Sequence, residues 1–174
     1  MSVVIRRAGP ADAATLSVLG MCTFIESFGH LYTPEDMQAF IDESHSAAAY
    51  AKVLADPAQA LWIAEQDGRA IGYAQAGPCG LPHAEVATGD GELKRLYVLA
   101  KAQGQNVGTL LLEAALAWLE RDGPRGLWIS VWSGNHAGQR FYARHGFEKA
   151  GEYEFAVGRQ RDHEFIFRRR ARVG

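Results

Sequence analysis

Apolar positions recur along the chain with two different periods, and each change of period marks a new element. Val3-Val4-Ile5-Arg6 is short and β-branched, which predicts a strand. From Pro10 the spacing turns helical. Ala13, Leu16, Leu19 and Phe24 share one face, and proline is tolerated in the first turn. Phe24, Phe28 and Tyr32 lie four apart and predict one packed aromatic face before the chain breaks near Thr33-Pro34. Thr33-Pro34-Glu35-Asp36 is a helix start, with a capping Thr, proline at the first position and acids in the first turn. Asp36 stands three residues after Thr33, as in a weak capping box. A further short helix is expected from Ala47 towards Leu54, ended by Asp56-Pro57.

The pattern then becomes strand-like. Leu61-Trp62-Ile63-Ala64-Glu65 and Ala70-Ile71-Gly72-Tyr73-Ala74-Gln75 flank Asp67-Gly68, the signature of a hairpin. After a loop over residues 77–91, Glu92-Leu93-Lys94-Arg95-Leu96-Tyr97-Val98 predicts another strand. A strong helix follows from about Gln105 to Arg121, with Val107, Leu110, Leu111, Ala114, Ala115, Trp118 and Leu119 as its apolar stripe. Gly123-Pro124 stops it. Leu127-Trp128-Ile129-Ser130-Val131-Trp132 reads as a strand buried on both faces. Asn135 should cap a short helix ending near His145-Gly146. Residues 148–157 and 162–168 close the chain as a strand pair. This order predicts an α+β fold with a mixed sheet and a right-handed strand–helix–strand crossover over residues 92–132.

Composition narrows the function classes. The 174 residues carry no repeat, low-complexity block or linker, so a single domain over residues 1–174 is expected. With 18 basic and 20 acidic side chains the net charge is −2. That leaves no global basic field for nucleic acid or an anionic membrane. The run Arg168-Arg169-Arg170-Ala171-Arg172 is short and reads as a frayed, solvated end. Cys22 and Cys79 form neither a disulfide framework nor a zinc or redox pair and read as small, buried or partly buried thiols. The histidines lack metal-ligand spacing, so no metal is expected. No secretory leader or membrane span is visible, and a cytoplasmic location is the simplest expectation.

Candidate chemistry centres on Leu96 to Gly108, where a strand ends, a turn of small residues follows and the strong helix begins. A helix start leaves backbone N–H groups without partners, and the macrodipole adds roughly half a positive charge there. Such a turn is a ready phosphate site. It is also ordinary turn punctuation, and both readings stand on these residues alone. Gly-Lys-Ser/Thr and Gly-x-Gly-x-x-Gly are both absent, which excludes a Walker loop and a dinucleotide fingerprint.

A second segment, Trp132 to Phe147, places a buried strand, a capped helix and a tyrosine in close order. With both segments in view, the chain resembles the GNAT superfamily of acyl-CoA N-acyltransferases. Gln103-Gly104-Gln105-Asn106-Val107-Gly108 is similar to that family's pyrophosphate loop, Gln/Arg-x-x-Gly-x-Gly/Ala, with Asn106 at the usual glycine. Asparagine visits left-handed backbone at lower cost than most residues, so weakened cofactor fit at most is expected. Asn135, Ala137, Phe141-Tyr142 and Gly146-Phe147 are similar to the second family motif. Phe24 to Phe28, Thr33 to Met37, Glu92 to Val98 and Val157-Gly158 with Asp162 resemble the bacterial PaiA-like spermidine/spermine acetyltransferases.

The resemblance implies a mostly antiparallel sheet splayed at one parallel pair of strands, with acetyl-CoA in the splay and a primary amine as acceptor. It implies that Leu96-Tyr97-Val98 lies against the pantetheine arm, with Leu96 and Val98 offering backbone groups. The amides from Gln103 through Gly104, Gln105, Asn106, Val107 and Gly108 to Thr109 would hold the pyrophosphate. Asn135 would reach the pantetheine, cap its helix, or do both. Tyr142 stands where the family places the acid that protonates the leaving thiolate, although as a bare residue it reads as packing beside Phe141.

An alkyl amine has a pKa about 10.4, so freeing its lone pair at pH 7 costs about 4–5 kcal/mol and calls for a carboxylate. Glu92 is the candidate base. A solvated strand-end acid is an equal reading, and Asp90 or Glu85 are substitutes. Glu26, Glu35 and Asp36, in the helical region that walls the acceptor side in such folds, are candidates to attract a cationic amine. No nucleophile of the protein is needed, so direct attack in a ternary complex is expected. Expected partners are a polyamine-like small-molecule amine and, as is common in the family, a second copy of the chain, although nothing in the sequence demands a dimer. A protein Lys or N-terminal acetyltransferase and a catalytically idle acetyl-CoA-binding module are the other readings.

Overall fold

The computed structural model describes residues 2–172. One seven-stranded sheet runs through it, in the order β1-β2-β3-β4-β5-β7-β6. Its strands are β1 (Val3–Arg7), β2 (Ala60–Gln66), β3 (Arg69–Pro78), β4 (Gly91–Val98), β5 (Leu127–Trp132), β6 (Glu148–Val157) and β7 (Gln160–Arg169). Every pairing is antiparallel except β4 with β5. That parallel ladder holds only at Gly91–Leu127, Glu92–Trp128 and Leu93–Ile129, after which the two strands part. The fold is the α+β mixed sheet expected, with its splay at the expected place.

Helices cover both faces. α1 (Ala13–Phe28), α2 (Pro34–Ser44) and α3 (Ala47–Leu54) precede the hairpin, α4 (Val107–Leu119) joins β4 to β5, and α5 (His136–Arg144) follows β5. Pro10 opens a short 3-10 turn over Pro10–Asp12 rather than α1 itself. The main core lies between the sheet and α4, where Leu93, Val107, Leu111, Leu112, Ala115, Ile129 and Phe167 pack together. The buried stripe of α4 is rotated from the expected one. Leu112 and Leu116 are buried, whereas Leu110, Ala114 and Trp118 are only partly covered.

On the opposite face Leu16, Leu19, Tyr50, Leu61, Ile63 and Tyr73 form a second core. Gly20 permits it, because a Cβ there would strike the Tyr50 hydroxyl. The expected aromatic face exists: Phe24 stacks on Tyr32 at 5.7 Å and on Phe40 at 4.8 Å. Thr33 caps α2 by accepting from the Asp36 N–H at 3.2 Å. The reciprocal half of the capping box is replaced, since the Asp36 carboxylate accepts from the Arg159 N–H at 3.0 Å and ties α2 to the β6–β7 turn.

A β-bulge decides which side chains reach which face. Gln75 opposes Arg95 and Ala76 opposes Leu93, so Lys94 is the extra residue in β4. A regular strand would place Leu96 and Val98 on the face of Glu92. With the bulge, Leu93, Leu96 and Val98 pack towards α4, and Glu92, Arg95 and Tyr97 share the face beneath α1 and α2.

The basic run near the C-terminus is an exposed end only in part, at residues 170–172 beyond the last strand. Arg168 and Arg169 belong to β7; Arg169 is buried and donates to Glu120 at 2.9 Å and to the His145 carbonyl at 3.2 Å.

Candidate active site

Where β4 and β5 part, one edge of β4 is open. The Leu99 N–H donates to the Ile71 carbonyl at 2.8 Å, and alternation then turns the backbone groups of Leu96 and Val98 away from β3 into the gap. Tyr97 pairs with Tyr73 through its backbone and therefore contributes its side chain, not its main chain, to the gap.

Beyond Val98 the chain makes a 3-10 turn, Ala100–Ala102, and enters α4 through Gln103 to Asn106. Asn106, the N-cap of α4, sits at φ +65°, in the left-handed region where glycine is usual. Gly104, at φ +84°, is the other left-handed residue of the turn. Among the described residues, no protein acceptor takes an N–H from Gly104 to Thr109. These donors converge on the positive end of α4, the arrangement that binds phosphates.

Two details differ from expectation. The Gln103 N–H is already used, donating to the Ala100 carbonyl at 3.3 Å, and its side chain donates to the Val98 carbonyl at 3.1 Å. The Gln105 side chain points away and accepts from Gln66 at 3.1 Å, which leaves only its backbone for a ligand.

A cleft of about 770 Å³ runs along this surface between β4, the α4 turn and α5. Leu96, Tyr97, Val98, Gln103, Gly104, Asn106, Val107, Gly108 and Thr109 line one wall; Asn135 and Tyr142 line the other. Asn135 caps α5, accepting from the Gly138 N–H at 2.9 Å. Tyr142 is wedged edge-on against Phe141 and Phe147 at 5.2 and 6.2 Å. Burial pushes its phenol well above the ordinary value, so it is protonated at neutral pH.

A second cavity of about 420 Å³ adjoins the cleft on the face beneath α1 and α2. Phe28 and Tyr97 border both spaces. Phe28 lies edge-on to Tyr97 at 6.2 Å and to Trp132 at 6.0 Å, bridging the two strands where they separate. The cavity walls are aromatic, including Phe24, Tyr32, Phe40, Tyr73, Tyr153 and Phe155.

The charged groups of this cavity are unevenly satisfied. Glu92 is buried, and its Oε1 accepts from the Gly80 N–H at 3.0 Å and from Lys94 Nζ at 3.1 Å. Arg95 donates to the Tyr50 hydroxyl at 2.9 Å and to the Ser44 carbonyl, at the end of α2, at 3.1 Å. His45 is driven down to about 3 by burial and by Arg95, so its imidazole is neutral and its Nδ1 meets the Tyr50 hydroxyl at 2.8 Å. Asp162 accepts from the Tyr32 hydroxyl. Glu164 differs from all of these. Its Oε2 is buried with no hydrogen-bond partner, and burial together with the Asp162 charge pushes the carboxyl up to about 8.

Several expected residues lie elsewhere. Asp90 fastens the loop, accepting from the Ala87 N–H and from Trp128 Nε1 at 2.9 and 2.8 Å. Glu85 is exposed and pairs with Arg168 at 3.3 Å. Glu26 accepts from the Ala100 N–H at 3.0 Å, and neither Glu35 nor Asp36 lines the cavity. Cys22 is exposed on α1, not buried; Cys79 is partly covered, its thiol pushed up to about 11 chiefly by burial. Neither thiol borders the cleft or the cavity.

Sequence reasoning missed Glu164, His45, Tyr32 and Tyr153 as cavity residues. For Glu164 a signal was present: in β7, Phe165 and Phe167 take one face of a period-2 pattern, which hands the other to Asp162, Glu164 and Ile166.

Comparison with known proteins agrees with this geometry. Residues 22–147 match the Acetyltransferase (GNAT) family. An uncharacterized N-acetyltransferase of Mycobacterium tuberculosis is 30% identical over 158 residues, covering 89% of this chain and 95% of that protein. The chain belongs to the GNAT acetyltransferase family and is an acetyl-CoA-dependent acetyltransferase.

Among solved structures, the PaiA N-acetyltransferase of Thermoplasma acidophilum, crystallised with coenzyme A, superposes with a TM-score of 0.78 at 20% identity, covering 98% of this chain and 99% of that one. The ribosomal-protein-S18-alanine N-acetyltransferase of Escherichia coli gives 0.70 at 19% identity, covering 99% and 96%. Among the described residues no helix is long and apolar enough to cross a membrane, and no cluster of His, Cys, Asp and Glu could hold a metal ion.

Proposed function

We propose that the protein transfers the acetyl group of acetyl-CoA to the primary amine of a small, polyamine-like molecule, by direct attack within a ternary complex. The observation that carries this reading is the junction at Phe28 and Tyr97, where a cleft with free N–H donors meets a walled cavity bearing carboxylates. The N–H groups from Gly104 to Thr109 receive the pyrophosphate. Leu96 and Val98 offer backbone groups to the pantetheine amides, and Asn135, while capping α5, presents its side chain to the same arm. Tyr142 protonates the departing thiolate. Glu92, fixed by Gly80 and Lys94, is the carboxylate that the resemblance offers as base.

Aromatic walls suit the alkyl body of an amine, and Glu92, Asp162 and Glu164 suit its charge. A cavity roofed by α1 and α2 favours a small molecule over a protein Lys or N-terminus, which needs an open groove. Asn106 keeps the left-handed turn that glycine would supply, so its departure from the family loop gives no reason to expect a lost cofactor site. The raised Cys79 thiol and the remote Cys22 leave no acyl carrier, in keeping with direct attack.

The test is acetyl-CoA consumption with a panel of mono-, di- and polyamines, scored by free thiol release. Amine-dependent release is expected, without a burst. Tight coenzyme A binding with no turnover of any amine would instead favour the binding-module reading.

A further inference from the structure

Every other carboxylate on the acceptor side is engaged. Glu92 Oε1 receives Gly80 and Lys94, and Asp162 receives Tyr32. Among the described residues, Glu164, facing the same cavity from β7, alone keeps a buried carboxylate oxygen with nothing to accept from. An ionisable group left so is costly unless a ligand completes it. The residues about it are chiefly aromatic: Tyr153 opposes Glu164 across the β6–β7 ladder, and Trp132 opposes it across the β5–β7 ladder. A cation with a slender apolar body is the ligand that such a setting completes.

We propose that Glu164, rather than Glu92, receives the acceptor's ammonium group and takes its proton. This rests on the acetyl-transfer reading above. Glu164 Oε2 accepts one proton from the ammonium, leaving a neutral amine. The amine nitrogen bonds to the acetyl carbonyl carbon, and the carbon–sulfur bond breaks. Tyr142 gives its proton to the thiolate and regains one, through solvent, from the new amide nitrogen. Glu164 then releases its proton to water, so one proton leaves per acetyl transferred.

The charged and titratable groups lining the cavity with this carboxylate are Asp162 on its own strand, Tyr153 on β6, Glu92, Lys94, Arg95 and Tyr97 on β4, Tyr73 on β3, Tyr32 ahead of α2, and the neutral His45 behind it. Burial, with the Asp162 charge adding to it, holds the Glu164 proton to about pH 8, close to the working range of a general base.

The experiment compares wild-type protein with the Glu164→Gln and Glu92→Gln variants, using phenethylamine and spermidine as probes. For wild type, kcat/KM for the amine should rise to a limb near pH 8, where Glu164 loses its proton. In Glu164→Gln that limb should vanish and move to the amine's own ionisation, with kcat/KM at pH 8 down about 10²-fold or more. Glu92→Gln should keep the limb. Coenzyme A affinity within about two-fold of wild type in Glu164→Gln shows that the fold and the cleft survive.

Binding of phenethylamine to the coenzyme A-loaded protein, by calorimetry at pH 9, reads Glu164 without turnover. A loss of about tenfold or more is expected in Glu164→Gln. An unchanged pH limb or unchanged amine affinity in that variant overturns the proposal. Wild-type protein that binds the amines in a Glu164-dependent way yet turns over none overturns the acetyl-transfer reading instead.

Discussion

Tyr142 is kept protonated by its surroundings, the state that its proposed role as acid to the leaving thiolate requires. Burial raises its phenol while Phe141 and Phe147 fix the ring, so replacing the hydroxyl removes a donor without disturbing the packing. Tyr142→Phe should lower kcat about 10²-fold or more, with coenzyme A affinity by calorimetry unchanged within about two-fold. An unaltered kcat removes Tyr142 from the mechanism. A second residue-scale effect concerns stability. Asp12 is held down to about 2 by Arg6, with the Gly9 N–H adding to it. Its folded pKa is below the unfolded one, so the stabilisation is complete above about pH 4 and is lost as pH falls towards 2. Asp12→Asn should therefore cost about 1–2 kcal/mol in urea melts at pH 7, and the gap from wild type should close as pH falls from 4 to 2. Single residues were legible in proportion to how local their role is. Asn135 and Thr33 could be read because a cap is defined by its own next three residues. Glu164 could not, because the absence of a partner is a property of the folded cavity.

Elements were legible where periodicity or turn chemistry acts within the element. β5 and β6 fall on their expected bounds, and the Asp67-Gly68 hairpin and Gly146 stop form as expected. The bulge at Lys94 was not legible. An extra residue in a strand shows only against its partner's register, yet it decides that Glu92, Arg95 and Tyr97 share a face. The rotated stripe of α4 has a related cause: a leucine-rich helix offers several faces, and the sheet chooses one. At this scale Asn106 carries a prediction. It starts α4 with φ +65°, a conformation that a β-branched residue tolerates poorly. Asn106→Gly should leave stability and coenzyme A affinity close to wild type. Asn106→Val should cost about 1–2 kcal/mol in chemical denaturation and weaken coenzyme A, because the strain falls on the same turn that aims the free N–H groups. Equal affinity in both variants would show that the turn does not hold the nucleotide.

At the scale of the whole molecule, the sheet is two antiparallel blocks, β1 to β4 and β5 with β6 and β7, joined by a parallel ladder that ends at Leu93–Ile129. α4 and Phe28 also hold the blocks across the splay, and the Asp36–Arg159 and Tyr32–Asp162 contacts tie the N-terminal helical region to the second block. A ligand lying in that splay touches β4 and the α4 turn on one side and α5 on the other, so it should stabilise the entire domain rather than one loop. Linkage sets the size: at coenzyme A near 100 times Kd the gain is about 2.7 kcal/mol, which for a domain of this length raises Tm by roughly 5–10 °C. Gly108→Asp separates this from a general effect of added nucleotide. A Cβ at Gly108 would meet Phe141 at an ordinary 3.7 Å, and an acid in the first turn of α4 favours the helix, so the free protein should melt no lower than wild type. On the proposed reading, the same carboxylate repels the pyrophosphate at the donors of the α4 turn. The coenzyme A-dependent rise in Tm should therefore be lost in Gly108→Asp while the ligand-free transition is kept. A full shift in that variant would place the phosphates away from the α4 turn.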